Sequence, residues 1–237
     1  MVSAIPAAPA PLKAGVKVKL SSVNVLSTNT NYAAFTHWLE VSAPDVIVVL
    51  EVSLAWERTL QKQTQYPYQK IMAREDNFGI ALLSKYPLTL IPDNAIPTAL
   101  SDPPSISAVV SVPMAAPFQV TAIHPSPPLS PTLSALHAAQ LNYFGDRTAS
   151  FPGASFLLGD FNATPWSSAS LMLGYRGLTR ISGMRPTWPA KGLPFELIPL
   201  DVIMSNKNAK PMSFSLGPNI GSDHRPIEAS VLVPFSP

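Results

Sequence analysis

The chain contains no cysteine, which excludes disulfides and thiolate metal sites and leaves the redox compartment open. It is also poor in charge. Only 13% of its 237 residues are Asp, Glu, Lys or Arg, and 16 basic against 14 acidic residues leave a formal net charge of +2. So small an excess is no electrostatic footprint for a polyanion, and any grip on nucleic acid must be local. No uncharged apolar stretch reaches the roughly 18 residues of a membrane span, so stable membrane insertion of this chain is not expected. There is no internal repeat, no P-loop and no Gly-x-Ser-x-Gly elbow.

What the chain has instead is a hydrophobic fraction of 46%, enough for a sizeable core, and 27 prolines, which imply rigid loops and short elements. Residues 1–15 are mostly Ala and Pro and read as a tail or linker ahead of one domain at 16–237. They lack the basic start and continuous apolar core of a secretion signal.

Alternation of apolar and polar residues predicts a strand over Val16 to Val25. Phe35, Trp38 and Leu39 predict a helix over Tyr32 to Val41. The β-branched run Val46 to Leu50 reads as a strand buried on both faces, and Val52 to Gln65 as a helix with Leu54 and Leu60 inward. Paired strands are expected at Tyr66 to Ala73 with Phe78 to Leu83, and at Ile106 to Val112 with Phe118 to Ile123. A helix over Leu133 to Phe144, a strand ending at Asp160, and strands at Leu200 to Ser205 and Ile227 to Val233 complete the pattern. Hairpins in both halves argue for a four-layer α/β sandwich of two mixed sheets flanked by helices, since a doubly wound parallel sheet needs none.

The organising stretch is Phe156 to Trp166, in which a buried strand runs into Gly159-Asp160-Phe161-Asn162. Alternate strand residues point the same way, so Asp160 and Asn162 can converge on one point ahead of a helix expected near Pro165, with Thr164 as its cap. Two readings exist: an Asp/Asn turn that only caps the helix, or a pair of oxygen donors for a hard cation or a phosphate. Glu51 poses the same choice, as a solvated strand end or a metal ligand. Asn24, His124, Asp201, Asp223 and His224 also stand at strand termini. This set has no soft ligand; it suits Mg2+ or Mn2+ and metal-assisted attack of water on a phosphate ester.

Taken in order, Asn24-Val25, Pro44-Asp45 through Leu50-Glu51, Gly79 to Ser84, His124-Pro125, Gly159-Asp160-Phe161-Asn162, Leu200-Asp201 and Ser222-Asp223-His224 resemble the endonuclease/exonuclease/phosphatase superfamily. The resemblance runs from about Lys17 to Val233, and Pro186-Thr187-Trp188-Pro189 resembles a bacterial, envelope-associated subgroup. It implies a site at the top of both sheets with Glu51 as principal metal ligand and Asn24 and Asp223 near the metal. Asp160 would position or deprotonate the attacking water, and Asn162 would hold the phosphate. His224, oriented by Asp201, would contact the scissile phosphate, with His124 as second phosphate contact or leaving-group acid. Glu75 is a candidate partner for His124. Val202 departs from the His or Tyr that usually follows the late Asp. His37 and His137, within predicted helices, read as ordinary helix residues.

For the substrate, a DNA or RNA phosphodiester leads, with Arg176, Arg180, Arg185, Lys191, Lys207 and Lys210 as a backbone groove or, equally, a solvated surface. A phosphomonoesterase, a sphingomyelinase- or inositol-type lipid phosphodiesterase, and a non-catalytic binding module are the other readings. Trp56, Trp166 and Trp188 are too dispersed to mark a membrane-docking hairpin. A monomer in the periplasm or outside the cell is expected.

Overall fold

The computed structural model describes residues 14–92, 96–191 and 196–236; residues 1–13 of the Ala/Pro-rich stretch lie outside these. The elements in chain order are β1 (Val16–Asn24), α1 (Tyr32–Ser42), β2 (Val46–Leu50), α2 (Leu54–Gln61), β3 (Tyr68–Met72), β4 (Ile80–Ser84), β5 (Leu88–Leu90), β6 (Ile106–Val110), β7 (Phe118–Ile123), α3 (Pro131–Ser150), β8 (Ser155–Asp160), α4 (Ser168–Tyr175), β9 (Thr179–Arg180), β10 (Asp201–Ser205), β11 (Lys210–Leu216) and β12 (Ile227–Val233). They build two mixed sheets of six strands, ordered β11-β12-β1-β2-β4-β3 and β5-β6-β7-β8-β10-β9. In each, one parallel pair lies at the centre, β1 with β2 and β7 with β8, and the other pairings are antiparallel.

Side-chain alternation assigns each strand face to a layer. Val18, Leu20, Val46, Val48 and Leu50 of the first sheet meet Val120, Ala122, Phe156, Leu158 and Ile203 of the second in one buried core. Val23, Ile47 and Val49 point the other way, onto Phe35 and Leu39 of α1 and Trp56 and Leu60 of α2. Ile123, Leu157 and Val202 do the same towards α3 and α4. The result is the four-layer sandwich expected from the hairpins.

Sequence signals place the site. On β1, the inward row Val18, Leu20 ends in Asn24; on β8, Phe156 and Leu158 lead to Asp160; on β10, Asp201 precedes Ile203. The inner faces of both sheets thus turn polar at one end. Two glycines let the chain close there. A Cβ on Gly79 would lie 1.9 Å from the Val52 carbonyl oxygen, and one on Gly159 would lie 1.8 Å from that of Ile123. The first approach pins the loop after Glu51, and the second holds β8 against the strand that leads to His124.

Several boundaries differ from expectation. The helix after the Gly-Asp-Phe-Asn stretch starts at Ser168, capped by the Ser167 hydroxyl accepting from the Ser170 N–H, so Thr164 is not its cap. Thr164 closes the preceding turn through its carbonyl instead. Helix α2 is eight residues long, with Trp56 and Leu60 inward and Leu54 exposed. Strands β5, β9 and β11 carry weak patterns: β11 is largely exposed and opens Lys-Pro, a composition suited to a sheet edge.

Behind β12, Glu228 is buried and accepts hydrogen bonds from Trp38 Nε1 (2.9 Å), Ser42 Oγ (2.5 Å) and Ser215 Oγ (3.1 Å), with Lys19 Nζ at 2.8 Å. Burial alone would push this carboxyl up, but the hydrogen bonds of Lys19 and Ser42, the Lys19 charge and the Trp38 indole hold it below the ordinary 4.5. A depressed pKa contributes stability above the unfolded value, and that stability is lost as pH falls through the folded one. Glu228→Gln should therefore melt about 5 °C lower than wild type at pH 7, equivalent to about 2 kcal/mol of charge-assisted hydrogen bonding. The gap should narrow below pH 4.5, as thermal melts across the range would measure.

Candidate active site

Asp160 and Asp201 are directly opposed across the β8–β10 ladder. Two buried carboxylates facing each other repel, and a cation between them is the usual remedy. His224 occupies that place: Nδ1 lies 2.9 Å from Asp201 Oδ2, and Nε2 lies 3.5 Å from Asp160 Oδ2. Burial disfavours the charged imidazole, but the charges of Asp201 and Asp160, the Asp201 hydrogen bond and Asp223 outweigh it and raise its pKa to about 10. Full burial, with the Asp160 charge adding to it, holds the Asp201 carboxyl above its ordinary value even though His224 and Thr187 pull it down. Thr187 Oγ1 accepts the backbone N–H groups of both Leu200 and Asp201 (3.2 and 3.3 Å).

Asp160 Oδ2 is the hub. Besides His224 it faces Asn24 Nδ2 at 3.4 Å and His124 Nε2 at 3.8 Å, while Oδ1 accepts from the Asn162 N–H at 2.9 Å. The same Asn24 Nδ2 donates to Glu51 Oε1 (2.9 Å), whose Oε2 accepts from the Ser27 N–H (3.2 Å). Asn24 Oδ1 accepts from Leu26 N–H, which fixes the amide with its donors towards the acids. Its backbone carbonyl accepts from Ser222 Oγ (2.8 Å), and Ser222 Oγ in turn accepts from the His224 N–H (3.1 Å). Asn24, Glu51, His124, Asp160, Asn162, Asp201 and His224 are therefore joined at one rim, and the charge of Asp223, next in the chain to His224, acts on the same imidazole. Glu51 and Asn162 have φ of 59° and 46°, a left-handed backbone that non-glycine residues adopt at a cost and that here aims functional groups.

Asn162 is turned so that Nδ2 donates to the Pro125 carbonyl (3.0 Å), tying its loop to the one after His124. Glu75 is not the partner of His124. It stands exposed on the β3–β4 hairpin, where Oε1 accepts from the Leu54 N–H at the start of α2, a favourable place for a carboxylate. His124 Nδ1 is buried with no hydrogen-bond partner among the described residues, and Phe78 packs on the ring with centroids 5.4 Å apart. His37 is exposed. His137 is buried on α3, and its Nε2–H donates to the Phe161 carbonyl (2.8 Å), bracing the motif's backbone; its helical pattern gave no sign of this. Thr187 and Phe78 were likewise invisible as site residues, since neither carries a chemical signature.

The basic cluster disperses. Arg180 is turned inward onto the carbonyls of Gly183, Pro199 and Asp201, and burial lowers its pKa to about 10. Arg176 pairs with Asp146 at 2.6 Å. Lys207 and Lys210 sit at the opposite end of β10 from Asp201. Arg185 and Lys191 are exposed on either side of Trp188 in the chain.

The residues fit a hard divalent cation. The donors are carboxylates, and Asp223 Oδ1 and Asp201 Oδ1 are buried without hydrogen-bond partners among the described residues. One ligand-type atom from each of Asp160, Asp201 and His224 lies within 4.8 Å of the others, so this group could hold a metal.

A model of the endonuclease/exonuclease/phosphatase family matches residues 21–224. The chain belongs to this family. Its members are phosphoesterase hydrolases that depend on divalent metal, and a possible metal site is present here. No curated protein matches the sequence. Among solved structures, an endonuclease/exonuclease/phosphatase from Beutenbergia cavernae DSM 12333 superposes with a TM-score of 0.71 at 18% identity, over 92% of this chain and 72% of that one. TDP2 from D. rerio, in a complex with single-strand DNA product, gives 0.69 at 15% over 91% and 98%. The beta toxin 275-280 from Staphylococcus aureus gives 0.63 at 16% over 90% and 99%. At such identities these structures share the fold with this member of the family. Among the described residues, no helix is long and apolar enough to cross a membrane.

Proposed function

We propose that this chain hydrolyses phosphodiester bonds of nucleic acid, using Mg2+ or Mn2+. The observation that carries the reading is the Asp160 Oδ2 hub, a single carboxylate oxygen faced by two imidazole nitrogens and one carboxamide, all buried. Such a point can take a proton from water while the donors around it hold an anion. Glu51, to which Asn24 donates, and Asp223 are assigned to the cation, which would supply a Lewis-acid contact to a phosphate oxygen. The trio Asp160, Asp201 and His224 suits it less, because both imidazole nitrogens already face its two acids, Nδ1 at 2.9 Å from Asp201 and Nε2 at 3.5 Å from Asp160.

The roles of the chain's own groups follow. Asp160 orients water for attack and accepts its proton. His224, held as a cation by Asp201, stabilises the charge that accumulates on the phosphorus-bound oxygens. His124, with Nε2 towards the same point, contacts the phosphate or protonates the leaving oxygen, and Asn162 holds the phosphate near the rim. Phe78 beside His124 and Trp188 beside His224 (centroids 6.5 Å apart) are half-buried rings next to the two imidazoles, a disposition suited to stacking on bases. The likeness to TDP2 in complex with single-strand DNA supports the same substrate class.

The test is purified protein on plasmid DNA, RNA, a chromogenic phosphomonoester and sphingomyelin, with Mg2+, Mn2+ or EDTA. Plasmid nicking that EDTA stops, and that falls with added salt through the remaining Arg185 and Lys191 contacts, is expected. Turnover confined to the monoester or to sphingomyelin would transfer the reading to those esters. No turnover on any of the four would favour a binding module.

A further inference from the structure

The segment 187–190 is fastened to the Asp223 loop at three points. Arg225 N–H donates to the Thr187 carbonyl (3.0 Å), Ala190 N–H donates to the Asp223 carbonyl (2.6 Å), and the Trp188 indole Nε1–H donates to Asp223 Oδ2 (3.2 Å). The two main-chain bonds bracket Trp188 and hold its backbone beside Asp223, and the indole N–H then sets the ring against the carboxylate. Asp223 Oδ1 meanwhile is buried and accepts no hydrogen bond from any described residue. The two oxygens of one carboxylate are thus in opposite states: one is taken by a fixed donor, the other is desolvated and open. A buried carboxylate oxygen without a partner is costly, and a cation is the partner that best repays it.

We propose that Trp188 is a positioning residue for the metal: by occupying Asp223 Oδ2 it fixes the carboxylate's rotation and assigns Oδ1 to the cation. This rests on the reading that Asp223 ligates a divalent metal. Donors behind a metal-bound carboxylate orient it and sharpen affinity, and their removal commonly costs about 10- to 100-fold in binding. Trp188 therefore acts on the cation through Asp223, whether or not the exposed part of its ring also stacks on substrate.

Mn2+ alone is the probe, titrated into the purified protein and followed by electron paramagnetic resonance of the free ion. Trp188→Phe keeps an aromatic ring and removes the N–H; it should raise the Mn2+ Kd about 10-fold, with Asp223→Asn raising it at least as far. Trp166→Phe, a change of an exposed tryptophan elsewhere, should leave the Kd unchanged. Trp188→His, which retains a ring N–H, should bind Mn2+ more tightly than Trp188→Phe. A wild-type Kd in Trp188→Phe, with only the KM for nucleic acid raised, would overturn the positioning role and leave a stacking role. If Trp188→Phe does not fold, equal Kd values for Trp188→His and Trp188→Leu would overturn it instead. Wild-type protein that binds no Mn2+ would remove the metal reading itself, a result separable from the others.

Discussion

Asp160→Asn is expected to lower kcat about 1,000-fold or more while the melting temperature stays within a few degrees of wild type. The substitution is isosteric, and its orientation is dictated by the site. The Asn162 N–H requires an acceptor, and it now has Asp160 Oδ1 at 2.9 Å. A carboxamide must keep its oxygen there, which sends its NH2 to the position of Oδ2. That position faces Asn24 Nδ2, His224 Nε2 and His124 Nε2. A donor would then confront three nitrogens, and no base would remain to accept a proton from water. Loss of a positioned base alone costs about 100- to 10,000-fold, and the misplaced donor adds to it. Stability should change little, because the like-charge opposition of Asp160 and Asp201 disappears together with the attraction of Asp160 for His224. Steady-state kinetics and a thermal melt of the same preparation decide the matter. A kcat within tenfold of wild type would strip Asp160 of its assigned role.

The parts of the fold that were legible in the sequence are those where one physical demand acts on consecutive residues. Val46 to Leu50 had to be a strand buried on both faces, because five aliphatics with no polar side admit little else. Gly159-Asp160 marked a strand end, because a carboxylate without partners cannot sit deep in that core and is tolerated only at its polar rim. The rim residues were legible for the same reason, as polar interruptions of apolar runs. What escaped was set by tertiary contact. Ser167 rather than Thr164 caps α4, because a turn of the chain intervenes whose closure depends on the Thr164 carbonyl. Strand β11 exists because β12 offers it an edge, not because Lys210 to Leu216 has a buried face. Glu75 could be matched to His124 only by proximity in sequence, and the hairpin turned it to the start of α2. Thr187 and His137 act through hydrogen bonds to backbone, two at the threonine hydroxyl and one at the imidazole, which leave no trace in composition or spacing.

Asp201→Asn and His224→Gln should each lower kcat about 1,000-fold, and the double variant should be no worse than either alone. Asp201 is fully buried and gives Oδ2 to the Nδ1–H of His224, with its backbone fixed by Thr187 Oγ1 and by Arg180 Nη2 on its carbonyl. The carboxylate thereby keeps the imidazole charged against the cost of burial and holds Nε2 towards Asp160. A carboxamide cannot supply that charge, so the ring would become neutral in a site where its positive charge is what opposes the phosphate's. If Asp201 works only through His224, removing the histidine already forfeits everything the acid contributes, and the free energies of the two changes cannot add. Because neither residue is assigned to the cation, the Mn2+ Kd of both single variants should stay close to wild type. Additive losses in kcat would give Asp201 a role of its own, and a collapse of Mn2+ binding in both variants would move the metal into the Asp160, Asp201 and His224 group.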